Sequence, residues 1–222
     1  ECFALSPTKR LCQQIIDKKL DIKWTCEMRF EKHLTRELLS SMRDAGCLKI
    51  VFGLESFNQR VMDFMKKGIK QEWVRRVVGD CVDLGIAVHC YIIVGFPTEK
   101  EEEARETMNF IVENERLHGS YGFSCQPCLF DLEKEAPIMS DPGSYGIRRI
   151  MRPSAEDLSL GFFYEVSEGM TPDEAERLYQ HVYEKVSEVV CELPFNYSMA
   201  DGLLYIARAK AQEVGVPQPA GS

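Results

Sequence analysis

Two stretches decide the fold: Leu48-Lys49-Ile50-Val51-Phe52-Gly53-Leu54-Glu55-Ser56, and Ile86-Ala87-Val88-His89-Cys90-Tyr91-Ile92-Ile93-Val94-Gly95-Phe96-Pro97-Thr98-Glu99. Each begins as a nearly continuous apolar, β-forming run, the pattern of a parallel strand covered on both faces by helices. Each then meets a glycine with a carboxylate a few residues on. Working outward, Ile22-Lys23-Trp24-Thr25-Cys26-Glu27 and residues 121–128 read as two further strands. Helical patterns fall between them. Ser6 and Pro7 open a helix with Leu11, Cys12, Ile15 and Ile16 on one face. Thr35 caps a second, with a Leu34/Leu39 staple, and Leu38, Leu39, Met42 and Ala45 face inward until Gly46. Val74, Val77, Val78, Cys81 and Val82 define a third, and Thr98 with Glu101 forms a capping box for a long acidic fourth.

Alternating helices and strands predict right-handed βαβ units, an α/β fold built on a parallel sheet or barrel. In such folds chemistry sits at the carboxyl ends of the strands. Beyond about residue 130 the alternation stops. Pro137, Asp141-Pro142-Gly143 and Pro153 mark 131–155 as a loop region. A helical extension is expected over 156–222, with Thr171-Pro172-Asp173-Glu174 opening one helix and Ser198 capping another.

The 222 residues, 45% hydrophobic and 28% charged, exclude disorder, collagen and coiled coil. A net charge of −8 argues against nucleic acid as a partner. No apolar run approaches the ~20 residues of a membrane span, and no signal peptide is evident, so a soluble, cytoplasmic protein is expected. The nine scattered cysteines read as free thiols in a reducing compartment.

At the strand ends, Gly53 lets a ligand approach the backbone, while Glu55 and Ser56 can bond a diol; an ordinary strand end with a helix cap explains the same residues. Gly95 with its proline-fixed turn suits a flat aromatic ligand, or serves as a plain βα turn. Glu27, Glu55 and Glu99 would be the acid–base groups of an unrelated barrel enzyme. Cys125 and Cys128 fall on opposite faces of a strand and read as packed thiols, with hydrogen donation to a substrate radical the alternative. The histidines show no metal-ligand spacing, and His89 reads as a core residue.

The two strand ends, joined by Phe57-Asn58-Gln59-Arg60-Val61-Met62-Asp63-Phe64-Met65-Lys66-Lys67-Gly68 and preceded by Leu34-Thr35-Arg36-Glu37-Leu38-Leu39-Ser40-Ser41-Met42-Arg43-Asp44-Ala45-Gly46, resemble the radical S-adenosylmethionine superfamily over residues 1–128. The likeness is closest to its cobalamin-associated, methylthiotransferase-like branch. It implies a partial (β/α)6 TIM-like barrel with about four strands in residues 1–130. It also implies that Glu55 meets the ribose of S-adenosylmethionine, with Gly53 and Ser56 beside it. Lys67 would meet the methionyl carboxylate, with Lys66 and Arg60 as neighbours able to replace it. Ile93, Gly95 and Phe96 would form the adenine platform, where Tyr91 replaces an aspartate of some relatives. Glu27 and Arg29 would reach the cofactor or substrate, or pair with each other.

The family's CxxxCxxC loop, which holds a 4Fe-4S cluster, is absent. The resemblance therefore implies that the cluster ligands, two βα units and any cobalamin domain precede Glu1. The cofactors implied are S-adenosylmethionine, the cluster and, where its domain is present, cobalamin. The implied activity is formation of a 5′-deoxyadenosyl radical or cobalamin-dependent methyl transfer, on a small-molecule or peptide substrate, with an electron donor for the cluster. The chain alone is expected to be inactive. The alternative is a cluster-free module that binds a nucleoside or a protein without catalysis. No catalytic residue and no metal ligand is assigned.

Overall fold

The computed structural model describes residues 4–152 and 161–189. Helix α1, Leu5–Asp17, begins one residue before the expected Ser6 cap; Ala4 is its N-cap and no side chain caps it. Pro7 still lies in the first turn, where a missing N–H costs no helical bond. The buried stripe is Thr8, Cys12 and Ile15, and Leu11 and Ile16 stay exposed, so the expected apolar face is narrower. Three βα units and a fourth strand follow: β1 (Trp24–Met28), α2 (Arg36–Asp44), β2 (Cys47–Glu55), α3 (Gln59–Phe64), α4 (Gln71–Asp83), β3 (Ala87–Val94), α5 (Glu101–Gly122) and β4 (Phe123–Leu129). The strands form one parallel sheet in chain order.

All four expected strands are present, with ends moved by one or two residues, and α3 is an addition. Thr35 caps α2 as expected, accepting from the Leu38 N–H. The Thr98/Glu101 box is corrected. Lys100 occupies the N-cap of α5, its N–H donating to Glu103 Oε2 at 2.8 Å, because Thr98 is held in the left-handed region at φ 73°.

Alternation along β2 sorts its residues between two environments. Ile50, Phe52 and Leu54 are fully buried against the helices with Leu39, Met42, Val74 and Val78. Val51, Gly53 and Glu55 face the other way. Register carries that second face across the sheet, placing Glu27, Val51, His89 and Ser124 in one row and Gly53, Tyr91 and Gln126 in the next. Such a concave polar row is the interior of a barrel wall.

Residues 131–152 are not the expected loop, and the described part of the following region opens at Gly161 as a strand and not as a helix. The first stretch holds β5 (Leu132–Glu133), two 3-10 turns (Pro137–Ser140 and Pro142–Tyr145) and β6 (Ile147–Met151); with β7 (Gly161–Val166) these strands form an antiparallel sheet ordered β5-β7-β6. Pro137, Pro142 and Gly143 mark turns between strands too short to announce themselves. Leu132, Ile147 and Tyr164 seal this sheet onto Phe96 and Phe130. Helix α6, Pro172–Val189, starts as expected, with Thr171 and Glu174 bonded reciprocally. The expected helix after Ser198, and Cys2 and Cys191, lie outside the described residues.

Candidate cofactor-binding cleft

The carboxyl ends of β1, β2 and β3 surround a cleft of about 410 Å³, lined by Glu27, Met28, Arg29, Val51, Gly53, Glu55, Lys66, Lys67 and Tyr91. Sequence reasoning named five of these as site residues: Glu27, Arg29, Gly53, Glu55 and Lys67. Glu55 ends β2 at φ 64°, where the register with β3 shifts, and this turns its carboxylate back over the strand. There Oε1 accepts from Lys67 Nζ at 3.0 Å. The pair lies above Gly53, where an added Cβ would stand 2.8 Å from Glu55 Oε1 and 3.6 Å from Lys67 Nζ. Arg29 donates through Nη2 to the Lys67 carbonyl at 2.6 Å, tying the loop after α3 to the end of β1.

The other four residues lie elsewhere. Ser56 is fully buried; its Oγ accepts from the Asn58 N–H and shares a hydrogen bond with Thr107, so it organises the start of α3 instead of facing the cleft. Ile93, Gly95 and Phe96 continue β3 beyond the lining. Gly95 donates its N–H to Glu99 Oε2 at 2.8 Å, and Phe96 packs edge-on against Phe64, Phe130 and Tyr145. Tyr91, Met28 and Val51 were missed as lining. The concave face that holds Tyr91 and Val51 is set by strand parity, which becomes readable only once the register is known.

Electrostatics separate the candidates further. Glu99 is 1% exposed, and burial pushes its carboxyl up to about 7. Buried and bonded to Gly95, it does not converge with Glu27 and Glu55 as an acid–base pair. Deeper in the barrel face, burial lowers Lys49 to about 7, and burial with nearby Lys49 lowers His89 to about 3. His89 shares a hydrogen bond with Ser124 at 2.9 Å, as expected of a core histidine. Cys125 is buried and Cys128 exposed, on opposite faces, with Cys128 Sγ donating to the Ile92 carbonyl. Among the described residues no cluster of three His, Cys, Asp or Glu could hold a metal ion, and no helix is long and apolar enough to cross a membrane. A second cavity, about 440 Å³, lies between β7, the end of β4 and the start of α6.

Parallel strands in sequential order, with a charged cleft at their carboxyl ends, define the wall of an α/β barrel. Residues 4–111 match the sequence profile of the Radical SAM superfamily, and the chain carries a radical SAM domain. An uncharacterized methyltransferase of Pyrococcus horikoshii is 31% identical over 97 residues, covering 44% of this chain and 21% of the relative. A tRNA-2-methylthio-N(6)-dimethylallyladenosine synthase of Thermodesulfovibrio yellowstonii is 30% identical over 107 residues, 44% of this chain and 23% of the relative. The chain thus spans about a fifth of the length of these curated relatives. Among solved structures, the cobalamin-dependent S-adenosylmethionine radical enzyme OxsB, with aqua-cobalamin and S-adenosylmethionine bound, superposes with a TM-score of 0.57 at 14% identity, covering 93% of this chain and 36% of that one. Coproporphyrinogen III oxidase of Escherichia coli, a radical SAM enzyme, gives 0.57 at 11% identity, covering 84% and 38%. At these identities the likeness is one of fold.

Proposed function

We propose that this chain supplies the S-adenosylmethionine-binding part of a radical SAM enzyme. The observation that carries the reading is the Glu55–Lys67 pair folded over Gly53 at the mouth of the cleft. S-adenosylmethionine carries a carboxylate at one end and a ribose diol nearer the other. A ligand of that kind can exchange partners with the pair: its carboxylate takes Lys67, and Glu55 is released to accept from the diol. Gly53 leaves the backbone bare beneath them, which supports the fit. Arg29 holds the Lys67 backbone in place, and the Ile93–Phe96 stretch continues from the cleft as the adenine side. Glu27 and Tyr91 complete the wall facing the substrate.

The described residues do not fit a 4Fe-4S cluster, since no cysteine triad is brought together. Its ligands are assigned to the remainder of the full-length protein. Held elsewhere in the full-length protein, such a cluster would supply the reducing electron for chemistry on S-adenosylmethionine. The residues of this chain bind and orient the nucleoside and exclude water from it. The full-length protein would act on a small-molecule or peptide substrate and draw on an electron donor, with cobalamin, which OxsB binds, as a second cofactor if the reaction is methyl transfer.

The test uses the full-length protein, reconstituted with iron and sulfide and reduced with dithionite. Formation of 5′-deoxyadenosine or S-adenosylhomocysteine is expected, with neither from the 222-residue chain alone. Lys67→Met is expected to weaken S-adenosylmethionine binding about tenfold, a loss of about 1.4 kcal/mol, while adenosine binding changes little. Equal losses for both ligands would contradict the assignment of Lys67 to the carboxylate.

A further inference from the structure

The geometry points to Thr98 as a positioning residue of the nucleoside site: the antiparallel sheet and the start of α6 lock it in a left-handed conformation, and this sets the Gly95–Phe96 backbone. The inference rests on the reading of the cleft proposed above. Thr98 is β-branched, and a positive φ of 73° is strained for such a residue unless the surroundings impose it. The surroundings do. Arg60 reaches across from α3 and donates to the Thr98 carbonyl at 2.8 Å and to Oγ1 at 3.3 Å. Arg60 is itself anchored by Glu103 on α5. From the other side, Gly146 and Gly169 press so closely that neither admits a methyl group. A Cβ at Gly146 would stand 2.5 Å from Thr98 Cγ2, and one at Gly169 would stand 2.6 Å from the Thr98 carbonyl carbon.

The hold passes along the turn through three bonds. Met170 donates its N–H to the Glu99 carbonyl at 2.8 Å, and Glu99 donates its own to the Phe96 carbonyl at 2.8 Å. The Glu99 carboxyl accepts from Gly95. Gly95 abuts Ala175 of α6 so tightly that it too has no room for a side chain. The residues assigned to adenine are therefore fixed by a part of the chain that never touches the cleft. Thr98 lines neither cavity.

The test is adenosine affinity, measured by NMR titration of the 222-residue chain and paired with a thermal melt of each variant. Adenosine lacks the methionyl group, so direct contacts to a carboxylate do not enter. Gly146→Ala is expected to weaken binding about tenfold. Adding Thr98→Ser deletes the methyl that the new Cβ meets and keeps the hydroxyl for Arg60, so the double variant is expected to recover the affinity of Thr98→Ser alone. Gly85→Ala imposes the same left-handed strain, at φ 75° with open space around it, and is expected to leave affinity unchanged. Arg60→Met, at a half-exposed position, is expected to weaken adenosine about threefold and decides the matter if Gly146→Ala does not fold. Wild-type chain that binds no adenosine overturns the reading of the cleft and this inference with it. Wild-type binding that Gly146→Ala and Arg60→Met both retain, or a loss that Thr98→Ser does not reverse, overturns this inference alone.

Discussion

One methyl group added at Gly53 would reach the centre of the site. Its carbon would stand 2.8 Å from Glu55 Oε1, closer than side chains pack, so the Glu55–Lys67 pair must swing away. Gly53→Ala is expected to weaken S-adenosylmethionine binding by about tenfold or more, read by calorimetric titration. The melting temperature should move little, because a pair that is partly exposed contributes little to stability. At this scale the sequence was informative wherever chemistry and strand position coincide: Gly53 and Glu55 were legible because a glycine and a carboxylate stand together at a strand end, whereas Lys67 was named only through the resemblance to the radical S-adenosylmethionine superfamily. The place of Ser56 was not legible, because the left-handed turn at Glu55 sends the next residue under α3, and a string of letters carries no φ angle. Tyr91 was likewise invisible as lining until its register with Gly53 was known.

Elements were legible where their signals are local. The Thr35 and Thr171 caps, the valine stripe of α4 and the four parallel strands all follow from short-range patterns. The β5-β7-β6 sheet did not, because its strands have two to six residues and gain their burial from residues outside themselves, among them Phe96 at the end of the parallel sheet. The long helix α5 carries a different consequence. Glu115 is 4% exposed, neither carboxylate oxygen has a hydrogen-bond partner among the described residues, and burial raises the group to about 7 from an ordinary 4.5. Between those values the folded chain holds a proton that the unfolded chain releases, so the contribution of Glu115 to stability is present below about pH 4.5 and is lost as pH rises through 7. Glu115→Gln removes this dependence. The variant should match the wild type near pH 4.5 and exceed it at pH 8 by about 1–3 kcal/mol, a few degrees in melting temperature. Thermal scans across that range check it, and a wild-type advantage at pH 8 would contradict it.

For the whole molecule, the fold class and family were readable because two strand ends and the segment between them recur as a unit. The substrate was not, because the antiparallel sheet and α6 carry packing residues and turn residues without a chemical signature. The structure joins the two parts physically: the Gly95–Glu99 turn belongs to the parallel sheet, yet Gly146, Gly169, Met170 and Ala175 hold it from outside. Among the described residues six of the seven thiols are buried, and although Cys47 and Cys26 are hydrogen-bonded neighbours, no three thiols form a group that could hold a metal ion. This chain is thus read as the half of the site that takes the nucleoside. The most direct test is a residue-resolved NMR titration of the chain with adenosine and then S-adenosylmethionine. The account predicts shifts at the amides of Gly53, Glu55, Tyr91 and Gly95 with both ligands, and an added shift at Lys67 with S-adenosylmethionine. Shifts confined to Phe163, Tyr164 and Thr171 around the second cavity, or none at all, would contradict it.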